Sequence, residues 1–197
     1  MTHYFKTPDQ MPTDRRVHSF RFLGLDMHFV TADGVFSKSK ADQGSLLLAE
    51  TAIGMSLGSN VLDLGCGYGL VGLLVKKSHP SITLHGIDVN ALAVDCAIAS
   101  AQRNQLEASY WVADGTLPFP QTYDTILLNP PIRAGKATVY ALYANAKAHL
   151  NAHGQLVIVI RKQQGAASTL THLQTLFSTV ERVTRRQGYE ILRASND

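Results

Sequence analysis

Val61-Leu62-Asp63-Leu64-Gly65-Cys66-Gly67-Tyr68-Gly69 places a short β-rich apolar run directly before three alternate glycines, and a helical rhythm follows from Leu70 to Lys77. A strand that turns through glycines into a helix is a ligand cradle by geometry. Glycine reaches positive φ and lets a ligand approach the backbone, while the start of a helix offers unpaired N–H groups. Gly67-Tyr68-Gly69-Leu70-Val71-Gly72 also satisfies the G-x-G-x-x-G dinucleotide pattern, so the kind of ligand has to be decided by other residues.

Outward from this loop, β-rich runs at Val61–Leu64, Ile82–Asp88, Tyr110–Val112, Thr125–Leu128 and Leu156–Ile160 alternate with helical patterns over about 69–77, 90–104, 137–150 and 166–177. Parallel neighbours need crossover connections, so the alternation predicts an α/β fold with a doubly wound, mostly parallel sheet. Val180–Val183 and Tyr189–Leu192, around Arg185-Arg186-Gln187-Gly188, predict a closing antiparallel C-terminal hairpin that completes seven strands. Ahead of the loop, Val17–Phe22 and Met27–Val30 predict an N-terminal β-hairpin extension. Asp33-Gly34 reads as a turn, and Asp42 as the N-cap of a helix to Ile53. The expectation is one domain over 1–197, with an extension at 1–57 and a ligand-binding core at 58–197.

Bulk composition supports a single globular core: 197 residues, 45% hydrophobic and 17% charged. The start carries no secretory pattern and no stretch approaches a membrane span, which predicts a cytoplasmic protein with no membrane partner. Cys66 and Cys96 read as free thiols, and the eight histidines show no metal-binding spacing, so no metal is assigned. A net charge of +3 is compatible with a polyanionic partner without requiring one.

Two features separate the possible ligands of the loop. Asp63 lies inside the strand end, where it would repel a pyrophosphate, and the chain shows no second domain for a hydride acceptor. S-adenosylmethionine has no phosphate and carries an ammonium group, which an aspartate attracts. Asp88 ends the second strand about 20 residues after the glycines, where its carboxylate can take both ribose hydroxyls; the alternative is an N-cap for the helix near Asn90.

Asn129-Pro130-Pro131-Ile132 stands at the carboxyl end of the fourth predicted core strand. Two prolines fix φ near −65° and remove two N–H donors, which makes a rigid corner beside an amide. If Asn129 Oδ1 and the Pro130 carbonyl accept the two N–H bonds of a planar amine, they hold its nitrogen in line with a sulfonium methyl. The alternative reading of this tripeptide is a plain strand-ending turn.

VLDLGCGYG and Ile87-Asp88-Val89 resemble motifs I and II of class I S-adenosylmethionine-dependent methyltransferases. The resemblance implies a Rossmann-like fold. It also implies that Asp63, Gly65, Cys66, Gly67 and Gly69 hold the methionine part and Asp88 the ribose, with Val89 among the cofactor-binding residues. Val112-Ala113-Asp114-Gly115 resembles the adenine-binding segment, with Asp114 and Gly115 at the adenine; a turn-forming aspartate is the alternative.

Asn129-Pro130-Pro131-Ile132 resembles the NPPY, NPPF or NPPW motif of amino-methyltransferases, with Ile132 in place of the aromatic and Phe36 or Tyr68 as the candidate ring for the target base. By that resemblance Asn129, Pro130, Pro131 and Ile132 form the catalytic corner, and Asn129 also borders the cofactor. Asp33-Gly34-Val35-Phe36-Ser37 with Asp42-Gln43-Gly44-Ser45-Leu46-Leu47-Leu48 resembles the small-domain methyltransferases, and most of all the RsmC-like 16S ribosomal RNA guanine-N2 enzymes. That likeness implies methylation of the exocyclic N2 of a guanine, with ribosomal RNA or the small ribosomal subunit as partner. Phe36, Ser37, Lys38, Arg133 and Lys136 are its candidate substrate-binding residues, although Phe36 also reads as core under the hairpin and each cation as a solvated charge. Enzymes of that group carry two related domains where this chain shows the catalytic one, with a homodimer as the candidate replacement for the second. The alternatives are a protein glutamine-N5 methyltransferase, a non-catalytic RNA-binding or ribosome-assembly module and, last, a nicotinamide oxidoreductase.

Overall fold

The computed structural model describes residues 15–35 and 41–196. An antiparallel hairpin comes first: β1 (Arg15–Phe22) and β2 (Leu25–Ala32). Helix α1 (Gln43–Ile53) follows, capped by Asp42, whose side chain accepts from the Ser45 N–H. The core then runs β3 (Asn60–Leu64), α2 (Leu70–Ser78), β4 (Thr83–Asp88), α3 (Ala91–Arg103), β5 (Ser109–Val112), β6 (Tyr123–Leu128), α4 (Lys136–Ala148), β7 (Leu150–Arg161), α5 (Ala166–Leu176), β8 (Thr179–Arg186) and β9 (Tyr189–Ser195). The seven core strands stand in the order β5-β4-β3-β6-β7-β9-β8, parallel except where β9 runs against β7 and β8. The predicted doubly wound sheet with an antiparallel C-terminal hairpin is the fold observed.

Neighbouring residues of a strand face opposite sides, and in the centre of the sheet both sides are covered, which is why Ile126–Leu128 of β6 and Leu156–Ile160 of β7 are unbroken apolar runs. Val61, Leu127, Val157, Val159 and Ile191 join one core with α1, α2, α3 and β2. Leu62, Leu128, Ile158, Ile160 and Leu192 join the other with α4 and α5. The first core is continuous from the hairpin to the sheet, since Met27, Phe29 and Val30 are buried in it. Two boundaries differ from the sequence expectation. The helix predicted over 137–150 ends at Ala148, where the His149 ring nitrogen Nδ1 bonds the Asn145 carbonyl at 2.8 Å. The strand predicted to start at Leu156 begins at Leu150 and includes His153 at φ 59, a kink that hides its strand character.

β3 lies between β4 and β6. The chain leaves it toward one edge of the sheet, then returns to build the other half, and a crevice opens beyond the carboxyl ends of the strands at such a switch point. Leu64 pairs with Leu128 across β3 and β6, so Gly65 and Asn129 leave neighbouring strands at the same height. The site is set by this register.

Candidate active site

A cleft of about 360 Å³ opens at the switch point, and both the glycine loop and the asparagine–proline corner line it. Gly65 and Gly67 take φ of 71° and 54°, and no atom stands within 4 Å of where a side chain would project from either. Positive φ favours glycine there, and the open space beyond is a cradle that a Cβ would enter. The loop is pinned from β4: Gly65 and Cys66 donate backbone N–H to the Ile87 carbonyl at 2.8 and 2.9 Å, and Gly67 donates to Asp88 Oδ2 at 2.9 Å.

Asp88 Oδ1 accepts from the Asn90 N–H at 2.9 Å, while Asn90 caps α3 with its own side chain on the Leu92 N–H. The N-cap alternative therefore belongs to Asn90, and Asp88 faces the cleft with Val89 beside it. Asp114 also lines the cleft and makes an Asx turn, accepting from the Thr116 N–H at 2.9 Å and hydroxyl at 2.7 Å. Those two bonds hold its carboxyl below the usual range. Gly115 is needed for packing, because a Cβ there would stand 2.6 Å from Leu64 Cδ1.

Asp63 is not the exposed charge that its motif position suggests. It is 3% exposed, and its Oδ2 accepts from the Gly72 N–H at 2.8 Å, at the start of α2. Burial, helped by the nearby charge of Asp88, pushes its pKa up to about 7 against the pull of the Gly72 amide. Burial likewise drives the Cys66 thiol well above its ordinary value, with Asp63 and Asp88 adding to the effect. Cys66 lines the cleft as an inert apolar group rather than a nucleophile.

At the asparagine–proline corner, Pro131 holds φ −76° and ψ 78°, and the Ile132 N–H bonds the Pro130 carbonyl at 2.9 Å. This inverse γ-turn fixes the corner and leaves the second lone pair of the Pro130 oxygen. Asn129, Pro130 and Pro131 line the cleft; Ile132 turns away and packs against the α4–α5 core. Arg133 and Lys136 are exposed next to the corner without lining the cleft, and Lys136 Nζ sits 5.1 Å from the Tyr140 ring centre. Tyr68 lines the cleft with its ring edge-on to Phe29. Phe36, Ser37 and Lys38 lie outside the described residues.

Sequence reasoning missed several lining residues: Ser45 from α1, Thr116, and Thr138 and Leu142 from α4. Asp42, expected as a helix cap and as the first residue of the Asp42–Leu48 family segment, also lines the cleft. Nothing in local patterning signals that the first turn of α1 folds back onto the sheet. Among the described residues, no group of three or more His, Cys, Asp or Glu gathers as a metal site, and no helix is long and apolar enough to cross a membrane.

Residues 26–193 match the family described as Methyltransferase small domain. A Bacillus subtilis protein described as uncharacterized protein YbxB is 37% identical over 195 residues, which is 98% of this chain and 97% of that one. Ribosomal RNA small subunit methyltransferase C of Photobacterium profundum is 37% identical over 140 residues, 69% of this chain and 41% of the relative. The solved structure of T. thermophilus 16S rRNA N2 G1207 methyltransferase, RsmC, in complex with AdoMet and guanosine, superposes with a TM-score of 0.82 at 27% identity. That match covers 94% of this chain and 52% of the other, so the chain spans about half the length of these ribosomal RNA enzymes or less. With the switch-point cleft and both of its motifs in one register, the chain belongs to the methyltransferase small domain family and has the Rossmann-like methyltransferase fold.

Proposed function

We infer that the protein is an S-adenosylmethionine-dependent N-methyltransferase acting on the exocyclic N2 of a guanine in 16S ribosomal RNA. The observation that carries this reading is the register of β3 and β6, which sets the glycine cradle and the asparagine–proline corner side by side in one cleft. S-adenosylmethionine, when bound, supplies an electrophilic methyl on a sulfonium. The residues present suit it: the open space over Gly65 and Gly67, Asp63 within reach of a cationic group, and the Asp88 and Asp114 carboxylates along the rim.

An exocyclic amine is a poor nucleophile because its lone pair is delocalised into the ring. Asn129 Oδ1 and the Pro130 carbonyl accept its two N–H bonds and hold the nitrogen toward the cradle, a gain of orientation and of charge stabilisation rather than of base strength. Held this way, the amine would take the methyl that the sulfonium supplies, and the N–H proton that methylation releases would pass to water. Arg133 and Lys136, exposed beside the corner, offer contacts for phosphates. The relatives named for ribosomal RNA and the guanosine in the T. thermophilus complex support guanine as the acceptor. A ribosomal substrate puts the enzyme in the cytoplasm.

The test is mass spectrometry of 16S nucleosides from a deletion strain, with in vitro methylation of its ribosomal RNA and of intact small subunits. The expected result is loss of one N2-methylguanosine and its restoration by purified protein. An unchanged nucleoside profile, with methyl transfer that survives ribonuclease treatment, would move the acceptor to a protein carboxamide.

A further inference from the structure

The Asn129 amide does not hang free in the cleft. Its Nδ2 donates to Ser45 Oγ at 2.8 Å and to Asp42 Oδ2 at 3.2 Å, both in the opening turn of α1. Asp42 Oδ2 also accepts from the Ser45 backbone N–H at 2.8 Å and from the Ser45 hydroxyl at 3.1 Å. Proton bookkeeping fixes the direction of this network. A carboxylate only accepts, and the Ser45 hydroxyl has committed its one proton to Asp42, so its oxygen meets Asn129 with lone pairs. Two acceptors therefore face Asn129, and only its NH2 can answer them. Oδ1 is the end left over for a ligand.

We propose that Asp42 and Ser45 are positioning residues for methyl transfer, locking the flip of Asn129 so that Oδ1 meets the N–H of the target amine. The proposal rests on the methyl-transfer reading above. A free amide would spend part of its time flipped, presenting N–H donors to an amine that is itself a donor. The negative charge of Asp42 has a second effect: bonded to the NH2 end, it polarises the amide and deepens the partial charge on Oδ1. That favours the positive charge that develops on the amine nitrogen.

The Asp42-x-Gly44-Ser45 spacing follows from the same geometry. A Cβ on Gly44 would stand 2.9 Å from Tyr189 Cε1 and 3.1 Å from Asp42 Oδ2, so the bare glycine lets the turn seat against β9 with its carboxylate in place. Gly44 keeps the lock in register.

Asp42→Asn isolates the charge, because asparagine caps a helix as well as aspartate does and its amide oxygen still accepts from the Asn129 NH2. The variant is expected to melt close to wild type and to keep its cofactor Kd and RNA KM within about twofold, while kcat falls roughly tenfold through the lost polarisation of Oδ1. Ser45→Ala should lower kcat by about tenfold through the loosened flip. A kcat that stays at the wild-type value in both, or falls only in step with melting temperature, overturns the proposal.

A second measurement needs no substrate. In ¹⁵N-labelled wild type, the Asn129 side-chain NH2 should exchange with water at least about tenfold more slowly than in Ser45→Ala, since ordered hydrogen bonds must open before exchange. Fast exchange in wild type overturns the lock whether or not RNA is methylated. A protected amide in a protein that leaves 16S ribosomal RNA unmethylated counts against the guanine reading alone.

Discussion

The Asn104 side chain bonds both backbone groups of His28: its Oδ1 accepts from the His28 N–H at 2.9 Å, and its Nδ2 donates to the His28 carbonyl at 2.6 Å. Ser100 Oγ extends the pairing by accepting from the Val30 N–H at 2.9 Å. Ser100 of α3 and Asn104 at its C-cap thus act as the missing neighbour strand along the open edge of β2, which would otherwise leave partly buried backbone groups unpaired.

Asn104→Ala removes both His28 bonds and is expected to cost about 2 kcal/mol in urea unfolding. Amide exchange at His28 and Val30 should rise more than at β3. The effect reaches the site, because Phe29 is 1% exposed and its ring meets Tyr68, which lines the cleft. Cofactor affinity should therefore drop as well. An unfolding curve that overlays wild type would show that the edge pairing adds nothing.

Asp63 makes the apo protein sensitive to pH. Its pKa is about 7 when folded and near 3.8 when unfolded, so the folded state holds the proton more tightly. The stabilisation is complete below about pH 3.8 and is lost as pH rises through about 7, an order of about 4 kcal/mol at most. Asp63→Asn should flatten that slope. A cationic ligand favours the ionised carboxylate, so S-adenosylmethionine affinity should increase as pH rises through 7, with proton release on binding. Calorimetry in buffers of different ionisation enthalpy reads that proton directly, and zero release would place the ammonium away from Asp63.

Asp88 and Asn129 should fail in different ways. Asp88→Ala removes a carboxylate from the rim and frees the Gly67 N–H that it anchors, so cofactor Kd should rise about 10- to 100-fold. Asn129→Ala touches the acceptor corner, so cofactor Kd should hold while kcat drops about 100-fold or more. Equal loss of cofactor binding in both variants would contradict the division of roles.

Gly67→Ala tests whether the open space over the loop belongs to a ligand. At φ 54° an alanine costs about 1–2 kcal/mol of backbone strain but meets no neighbouring atom in the apo protein. Melting temperature should fall modestly, while cofactor affinity falls by far more than that strain accounts for. A loss of affinity no larger than the loss of stability would indicate that nothing binds over Gly67.

The sheet, its order of elements and both motifs were legible because each depends on local pattern: Val61–Leu64 into glycines, then Thr125–Leu128 into two prolines. Their meeting in one cleft followed from the switch-point rule. What could not be read were contacts between distant segments. Asn129 bonds Ser45 across 84 positions, and no periodicity links the two. The direction of Ile132 was equally hidden, since the turn through Ile132–Ala134, rather than strand alternation, decides that it points to the α4–α5 core. The burial of Asp63 under α2 escaped for the same reason: sequence displays a charge, and only packing reveals that its partner is a backbone amide.

RNA binding should leave a signature in salt. Arg133 and Lys136 follow β6, while Arg161 and Lys162 follow the apolar run of β7, so four exposed cations share the carboxyl side of the sheet with the cleft. Two are steadied by rings, Lys136 at 5.1 Å from Tyr140 and Arg161 at 5.8 Å from Tyr189. If all four meet phosphates of single-stranded RNA, log affinity should fall against log salt with a slope of about −3, and Lys136→Ala should reduce that slope by about 0.7. Cofactor affinity should stay unchanged in that variant, because Lys136 does not line the cleft. A slope near zero in wild type would mean that the carboxyl-side cations do not grip a polyanion, and the acceptor would have to be sought among neutral molecules.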